Sequence, residues 1–301
     1  MKRWHYFIGI FFLWQACAPE DVFIDVSPAP SQIAVSSQML GDNVLLVTLS
    51  RSFSALNPNT LEDLEEDFIG ELLVDSAFVT VNSQGFLDTL FEIGPGLFVG
   101  ELSQATEGAD YHLNVFDSTT SVTIRASTQL QQQIALDTAF LECIIEGEDT
   151  TYIAHYQFQD PPEENWFITQ ATSFSGLSFE ELFNAEIVGD SIVFENDSVP
   201  DLFTGEDNAT LLYTRLLADI TFRDSAVRNT VTLPEQPGDT ILFSLTHVSE
   251  GYFRYLDAQQ RNGGVLASIG SEPINFPSNV ENGLGYFAMN QPSFLVFIKE
   301  D

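Results

Sequence analysis

Apolar and polar residues alternate in short runs along most of this chain, and glycine, proline or asparagine punctuates the runs. The clearest case is 152–158, where Tyr152, Ala154, Tyr156 and Phe158 share one face at a period of two. Comparable runs predict strands at 32–37, 43–50, 76–82, 85–93, 96–102, 110–116 and 122–130. Ser83-Gln84-Gly85 and Gly94-Pro95-Gly96 supply turns between them. The run Val44-Leu45-Leu46-Val47-Thr48-Leu49 alternates poorly, which predicts a strand covered on both faces. Further strands are expected at 166–172, 190–195, 210–222, 229–233 and 240–247. One stretch changes period: Tyr252, Tyr255, Leu256 and Gln259 recur at helical spacing over 248–261, and Asn262-Gly263-Gly264 ends the pattern. Shorter helices are expected at 61–68 and 176–184.

The expected fold is therefore mainly β. An immunoglobulin-like β-sandwich over 32–130 precedes a second β-rich domain over 131–301 with one or two short helices. The boundary falls at Gln129-Leu130-Gln131-Gln132-Gln133, where polarity changes. Near the C-terminus, two prolines and a cluster of Asn and Gly over 273–285 predict a corner that feeds a final buried strand.

The N-terminus reads differently. Lys2 and Arg3 precede an apolar run over 6–14, too short to cross a bilayer, which needs about 20 residues. This is the layout of a secretory signal. Leu13-Trp14-Gln15-Ala16-Cys17 resembles the cleavage box of bacterial lipoproteins. The expectation is a signal peptide over 1–16, acylation of Cys17, and a lipidated tether over 17–31 stiffened by Pro19, Pro28 and Pro30. Each buried CH₂ of the acyl chains contributes about 0.8 kcal/mol, and two or more chains anchor a protein stably. Glu20-Asp21 resembles a surface-export signal of Bacteroidota lipoproteins, so the expected location is the outer membrane, with exposure at the cell surface. Cys143 is then the remaining thiol. It lies in the apolar run Phe140-Leu141-Glu142-Cys143-Ile144-Ile145, which predicts a buried small hydrophobe.

Charge narrows the partners. The chain has 44 acidic and 10 basic residues and a formal net charge of −34. Such a field repels nucleic acid and anionic headgroups, so no nucleic-acid partner is expected. Candidate chemistry is sparse. His112, His155 and His247 are far apart in sequence and lack the spacing of a zinc helix. The cluster Glu62, Asp63, Glu65, Glu66, Asp67 lacks the alternating ligands and glycine of a calcium loop. No nucleophile elbow, phosphate-binding loop or dinucleotide fingerprint is present. No catalytic residue, metal or cofactor is assigned. Asp followed by Ser or Thr recurs, as at Asp88-Thr89, Asp117-Ser118 and Asp137-Thr138, and resembles an O-glycosylation sequon of exported Bacteroidota proteins.

Four segments share one resemblance. Ser278-Asn279-Val280-Glu281-Asn282-Gly283-Leu284-Gly285-Tyr286-Phe287 resembles the C-terminal signature of a family of Bacteroidota outer-membrane lipoproteins catalogued as domain of unknown function 4249. Phe158-Gln159-Asp160-Pro161 with Asn165-Trp166-Phe167, Pro200 to Gly205, and Val248 to Leu256 resemble its other motifs in order. The resemblance implies a mostly β lipoprotein often encoded beside a TonB-dependent transporter, and it carries no catalytic residues. The functional expectation is a non-enzymatic accessory or ligand-capture partner of such a transporter. The alternatives are a surface hydrolase acting on glycans through paired carboxylates and a structural cell-surface protein.

Overall fold

The computed structural model describes residues 31–40, 43–52, 72–74, 76–146, 149–174, 185–188, 191–194, 209–219, 225–233, 238, 240–262 and 276–298. Cys17, the acidic cluster at 62–67 and the helices expected at 61–68 and 176–184 lie outside them.

The chain is mostly strand, as its alternation predicts. In the first half, β1 (Ile33–Met39), β2 (Val44–Arg51), β3 (Ala77–Ser83), β4 (Phe86–Gly94), β5 (Leu97–Glu101), β6 (Asp110–Asp117) and β7 (Val122–Gln129) lie close to the expected runs. They continue with β8 (Leu136–Glu146), β9 (Asp149–Gln159), β10 (Trp166–Phe174), β11 (Ala185–Val188), β12 (Ser191–Phe194), β13 (Ala209–Ala218), β14 (Ala226–Thr232) and β15 (Thr240–Val248). Then come the helix α1 (Glu250–Asn262), β16 (Val280–Glu281), β17 (Leu284–Gly285) and β18 (Pro292–Ile298).

Nine strands form one sheet in the order β16-β7-β6-β3-β4-β5-β2-β1-β17. β4 joins its two halves, pairing with β3 up to Leu90 and with β5 from Phe91 on, with a register shift between Glu92 and Gly94. The two end strands, β16 and β17, are separated only by Asn282 and Gly283, so the sheet is nearly closed. Its interior packs Val35, Met39, Leu45, Leu49, Tyr111 and Leu113, all buried. Phe287 and Met289 enter the same core from the far end of the chain. The C-terminal signature therefore belongs to the first sheet as well as leading to a last strand, because β17 pairs in parallel with β1 and β16 pairs antiparallel with β7.

Closure explains the signature's composition. Gly283 lies so close to β1 that an added Cβ would fall 2.7 Å from the Ile33 carbonyl oxygen. Gly285 has φ +88°, and a Cβ there would overlap the backbone of Val35. Only glycine allows both the conformation and the approach. Asn282 turns the chain at φ 62° and donates to the Thr123 carbonyl. Asn279 donates to the Phe287 carbonyl at 2.7 Å and accepts from the Phe287 N–H at 2.9 Å.

The second half builds a four-stranded sheet, β13-β10-β15-β18, and a three-stranded sheet, β14-β9-β8, around a core that includes Tyr156, Phe158, Phe167, Phe243 and Leu245. β8 and β11 extend the strand set beyond the runs read from sequence, and β18 stands where a final strand was expected after the corner. Cys143 is exposed, not buried. It sits opposite Tyr152 near the tip of the β8–β9 hairpin, which closes at Glu146 and Asp149, and Ile145 nearer the tip is exposed as well. The two segments that pass from the first sheet to the second half are bonded to each other: Gln131 donates its N–H to the Met289 carbonyl, Gln133 its amide to the Pro292 carbonyl, and Leu136 its N–H to the Ser293 hydroxyl.

A cleft beneath the helix

Where the two halves meet, the outward face of the four-stranded sheet forms a floor. Alternation sends Phe167 and Ala171 of β10 into the core, and Ile168 and Gln170 to the other face. Register then aligns two cross-strand rows. One runs Thr214, Gln170, Ser244, Phe294; the next runs Leu216, Ile168, Thr246, Pro292. All eight line a cavity of about 360 Å³, within the range of small-molecule sites. One wall is β1, through Ser36 and Gln38. The other is α1, through Tyr252, Leu256, Gln259 and Gln260.

A second cavity of about 470 Å³ continues along the same helix and shares Ser36 and Gln259 with the first. Its wall is the outer face of β1 and β2, where Ala34 pairs with Ser50 and Ser36 with Thr48. Its opposite side is aromatic, with Tyr255 and Phe276.

The helix is aimed by its own sequence. Glu250 pairs with Arg254 and Asp257 with Arg261, one turn apart with the acid N-terminal, which supports an exposed helical face. The Ser249 hydroxyl accepts the Tyr252 N–H at 3.3 Å and caps the start. The other face carries Tyr252, Tyr255 and Leu256 to the cleft. Tyr286, set by its N–H bond to the Val35 carbonyl at 2.9 Å, completes an aromatic ledge. Its ring centroid lies 5.3 Å from that of Tyr252 and 5.7 Å from that of Tyr255. Gly251 makes room for it, since a Cβ there would run into the Tyr286 hydroxyl. Burial, with the neighbouring Tyr255, pushes the Tyr252 phenol up to about 12, and burial raises Tyr255 as well. Both are neutral hydroxyls across the physiological range. At the junction, the Gln259 amide donates to the Tyr255 hydroxyl at 2.7 Å.

The electrostatic character is plain. In a chain with 18% charged residues, no described residue lining either cavity is Asp, Glu, Lys, Arg or His. Hydroxyls and side-chain amides set against rings give donors and acceptors without formal charge.

The residues singled out by sequence lie elsewhere. His112 bonds the Ser127 hydroxyl at 2.8 Å, His155 meets Glu142 at 2.8 Å and stacks on Phe140, and His247 meets the Gln132 carbonyl at 3.0 Å. They do not converge, and no group of three metal-ligating side chains forms among the described residues. Asp160 and Asn165 are buried at the β9–β10 turn, where the Asn165 amide donates to the Pro161 and Glu163 carbonyls. Of the sequon-like hydroxyls, Ser118 and Thr138 are exposed, and Ser118 donates to the Ser76 carbonyl at 2.6 Å. The cleft itself was missed. Its available signal was the outward positions of β10, β13 and β15, which carry Gln170, Thr214, Ser244 and Thr246 instead of charge.

A family model described as a domain of unknown function (DUF4249) matches residues 20–293. No curated protein matches the chain.

Proposed function

The chain belongs to the DUF4249 family, and we propose that it is a non-enzymatic, lipid-anchored accessory protein of the outer membrane that captures a small ligand for a TonB-dependent transporter. The observation that carries capture is the uncharged cleft under α1, a built concavity at the seam of the two halves. Hydrolysis of a glycan by paired carboxylates needs two acids flanking the scissile bond. Among the described residues neither cavity has one, so capture is favoured over turnover.

Anchoring rests on the leader, on Cys17 and on the proline-bearing tether. A protein partner is supported by the outer face of the first sheet. Phe78 and Phe116 stand directly opposite each other on β3 and β6, 59% and 44% exposed, and Phe91 on β4 is 47% exposed. A row of exposed rings on adjacent strands is the kind of surface that another protein covers.

The capture reading is tested by native mass spectrometry of the full lipidated protein extracted from its own membranes in mild detergent. A non-covalent adduct is expected, and it is expected to disappear in Ser244→Phe, which fills the floor of the cleft. An adduct-free wild type, or an adduct that persists in the variant, contradicts capture at this site.

A further inference from the structure

We infer that the cleft takes an uncharged, hydroxyl-rich ligand of the saccharide class, laid as a short oligomer across both cavities. This deepens the capture reading and rests on it.

Length comes first. The two cavities adjoin at Ser36 and Gln259, which line both. Along β1, Ala34, Ser36 and Gln38 face them in alternation, which spans roughly 13 Å at the rise of a strand. A ligand touching all three is extended, not a compact single ring.

Chemistry comes second. The first cavity offers Gln170, Gln259, Gln260 and Asn290, each with a donor and an acceptor, beside the hydroxyls of Thr214, Ser244 and Thr246. Vicinal hydroxyls on a sugar ring are donors and acceptors side by side, and side-chain amides match that pattern. The second cavity offers Tyr255 and Phe276 opposite Thr48 and Ser50. A pyranose has an apolar C–H face and a polar edge, so it fits a ring on one side and hydroxyls on the other.

Charge decides among classes. An organic cation would be drawn by the net −34 field and by aromatic faces. Such a ligand calls for rings arranged around a point or for a carboxylate beside it. Tyr252, Tyr255 and Tyr286 instead pack on one another as a ledge, and no described lining residue is acidic. An anionic ligand would meet no lysine or arginine among the described lining residues, and a repulsive field. A peptide presents charged termini that the lining leaves unpaired. An uncharged polyol asks nothing of the field.

The test is isothermal titration of the full chain with three sets of probes: neutral oligosaccharides of glucose, mannose, galactose and xylose; choline and carnitine; and short neutral peptides. A neutral oligosaccharide is expected to bind. Raising salt from about 0.05 M to about 0.5 M leaves its affinity within about twofold, because no charge is contacted. Gln170→Ala weakens it about tenfold, as loss of one buried hydrogen-bonding group does. Ser36→Trp, a substitution at an exposed strand position, places a bulky ring where the cavities adjoin and weakens longer oligomers more than monosaccharides. Unchanged thermal unfolding of both variants separates these effects from misfolding. Binding only of amines or peptides overturns the ligand class and leaves capture standing. Saccharide binding that both variants leave intact overturns the site. Absence of binding by every neutral oligosaccharide overturns the inference, whatever adduct the native protein carries.

Discussion

Ser37 and Ala288, 251 positions apart, bond each other twice: the Ser37 hydroxyl donates to the Ala288 carbonyl at 2.8 Å and accepts the Ala288 N–H at 2.7 Å. Both residues are buried. One hydroxyl thus ties the first strand to the segment that closes the sheet. Ser37→Ala leaves a buried donor and a buried acceptor unpaired, so a loss of about 1–3 kcal/mol is expected. Urea unfolding checks it: the midpoint falls while the slope is unchanged.

Gly285 and Gly108 separate conformational strain from crowding. Both have positive φ, +88° and +72°. A Cβ at Gly108 meets nothing within 4 Å, whereas one at Gly285 overlaps the Val35 backbone. Gly108→Ala is expected to cost about 1 kcal/mol, from backbone conformation alone. Gly285→Ala is expected to cost about 3 kcal/mol or more, because β1 and β17 must move apart as well. Equal losses in thermal or urea unfolding would refute this account of the signature.

Much of the first sheet was legible in sequence because its strands alternate and are separated by turn residues. The Gln84-Gly85 turn and the Pro95-Gly96 turn are where the punctuation put them, with positive φ at Gln84, Gly85 and Gly96. What could not be read was pairing across distance. Nothing local to Gly283 and Gly285 reveals a parallel partner at Ala34 and Val35. The helix was legible for a similar reason: Tyr252, Tyr255 and Leu256 have a period of their own. The site they face was not, since its floor comes from Thr214, Gln170, Ser244 and Phe294 on four strands and its wall from Ser36 on a fifth. Cys143 misled because an apolar run fixes neither which face is covered nor where the core ends.

His247 gives the protein a pH signature. Burial beside Phe167 holds its imidazole below the ordinary value, although the Gln132 carbonyl and the carboxylates of Glu107 and Glu163 work in the opposite direction. A depressed folded-state value means that protonation favours the unfolded chain. Its contribution is therefore complete above the ordinary value of 6.5 and is lost as pH falls through the lower folded value. His247→Gln keeps a donor for the Gln132 carbonyl and cannot titrate. Its stability is expected to decline less steeply than that of wild type below pH 6.5. Parallel stability–pH curves would exclude this role.

Anchoring by Cys17 has its own test. If acyl chains on that sulfur hold the protein, Cys17→Ser made together with Phe78→Ser and Phe116→Ser shifts it from the membrane pellet to the soluble fraction in the native host, because the acidic body has no attraction for an anionic surface once the acyl chains and the exposed rings are gone. Retention of the variant in the pellet would mean that a protein partner or another surface holds it.

The accessory role is the central claim, and affinity purification of a tagged, full-length copy from native outer membranes in mild detergent tests it most directly. A TonB-dependent transporter at equal stoichiometry is the expected result, lost in the double variant Phe78→Ser and Phe116→Ser, which removes two of the exposed rings. A lipidated protein that elutes alone, with the same mobility in wild type and variant, would contradict it.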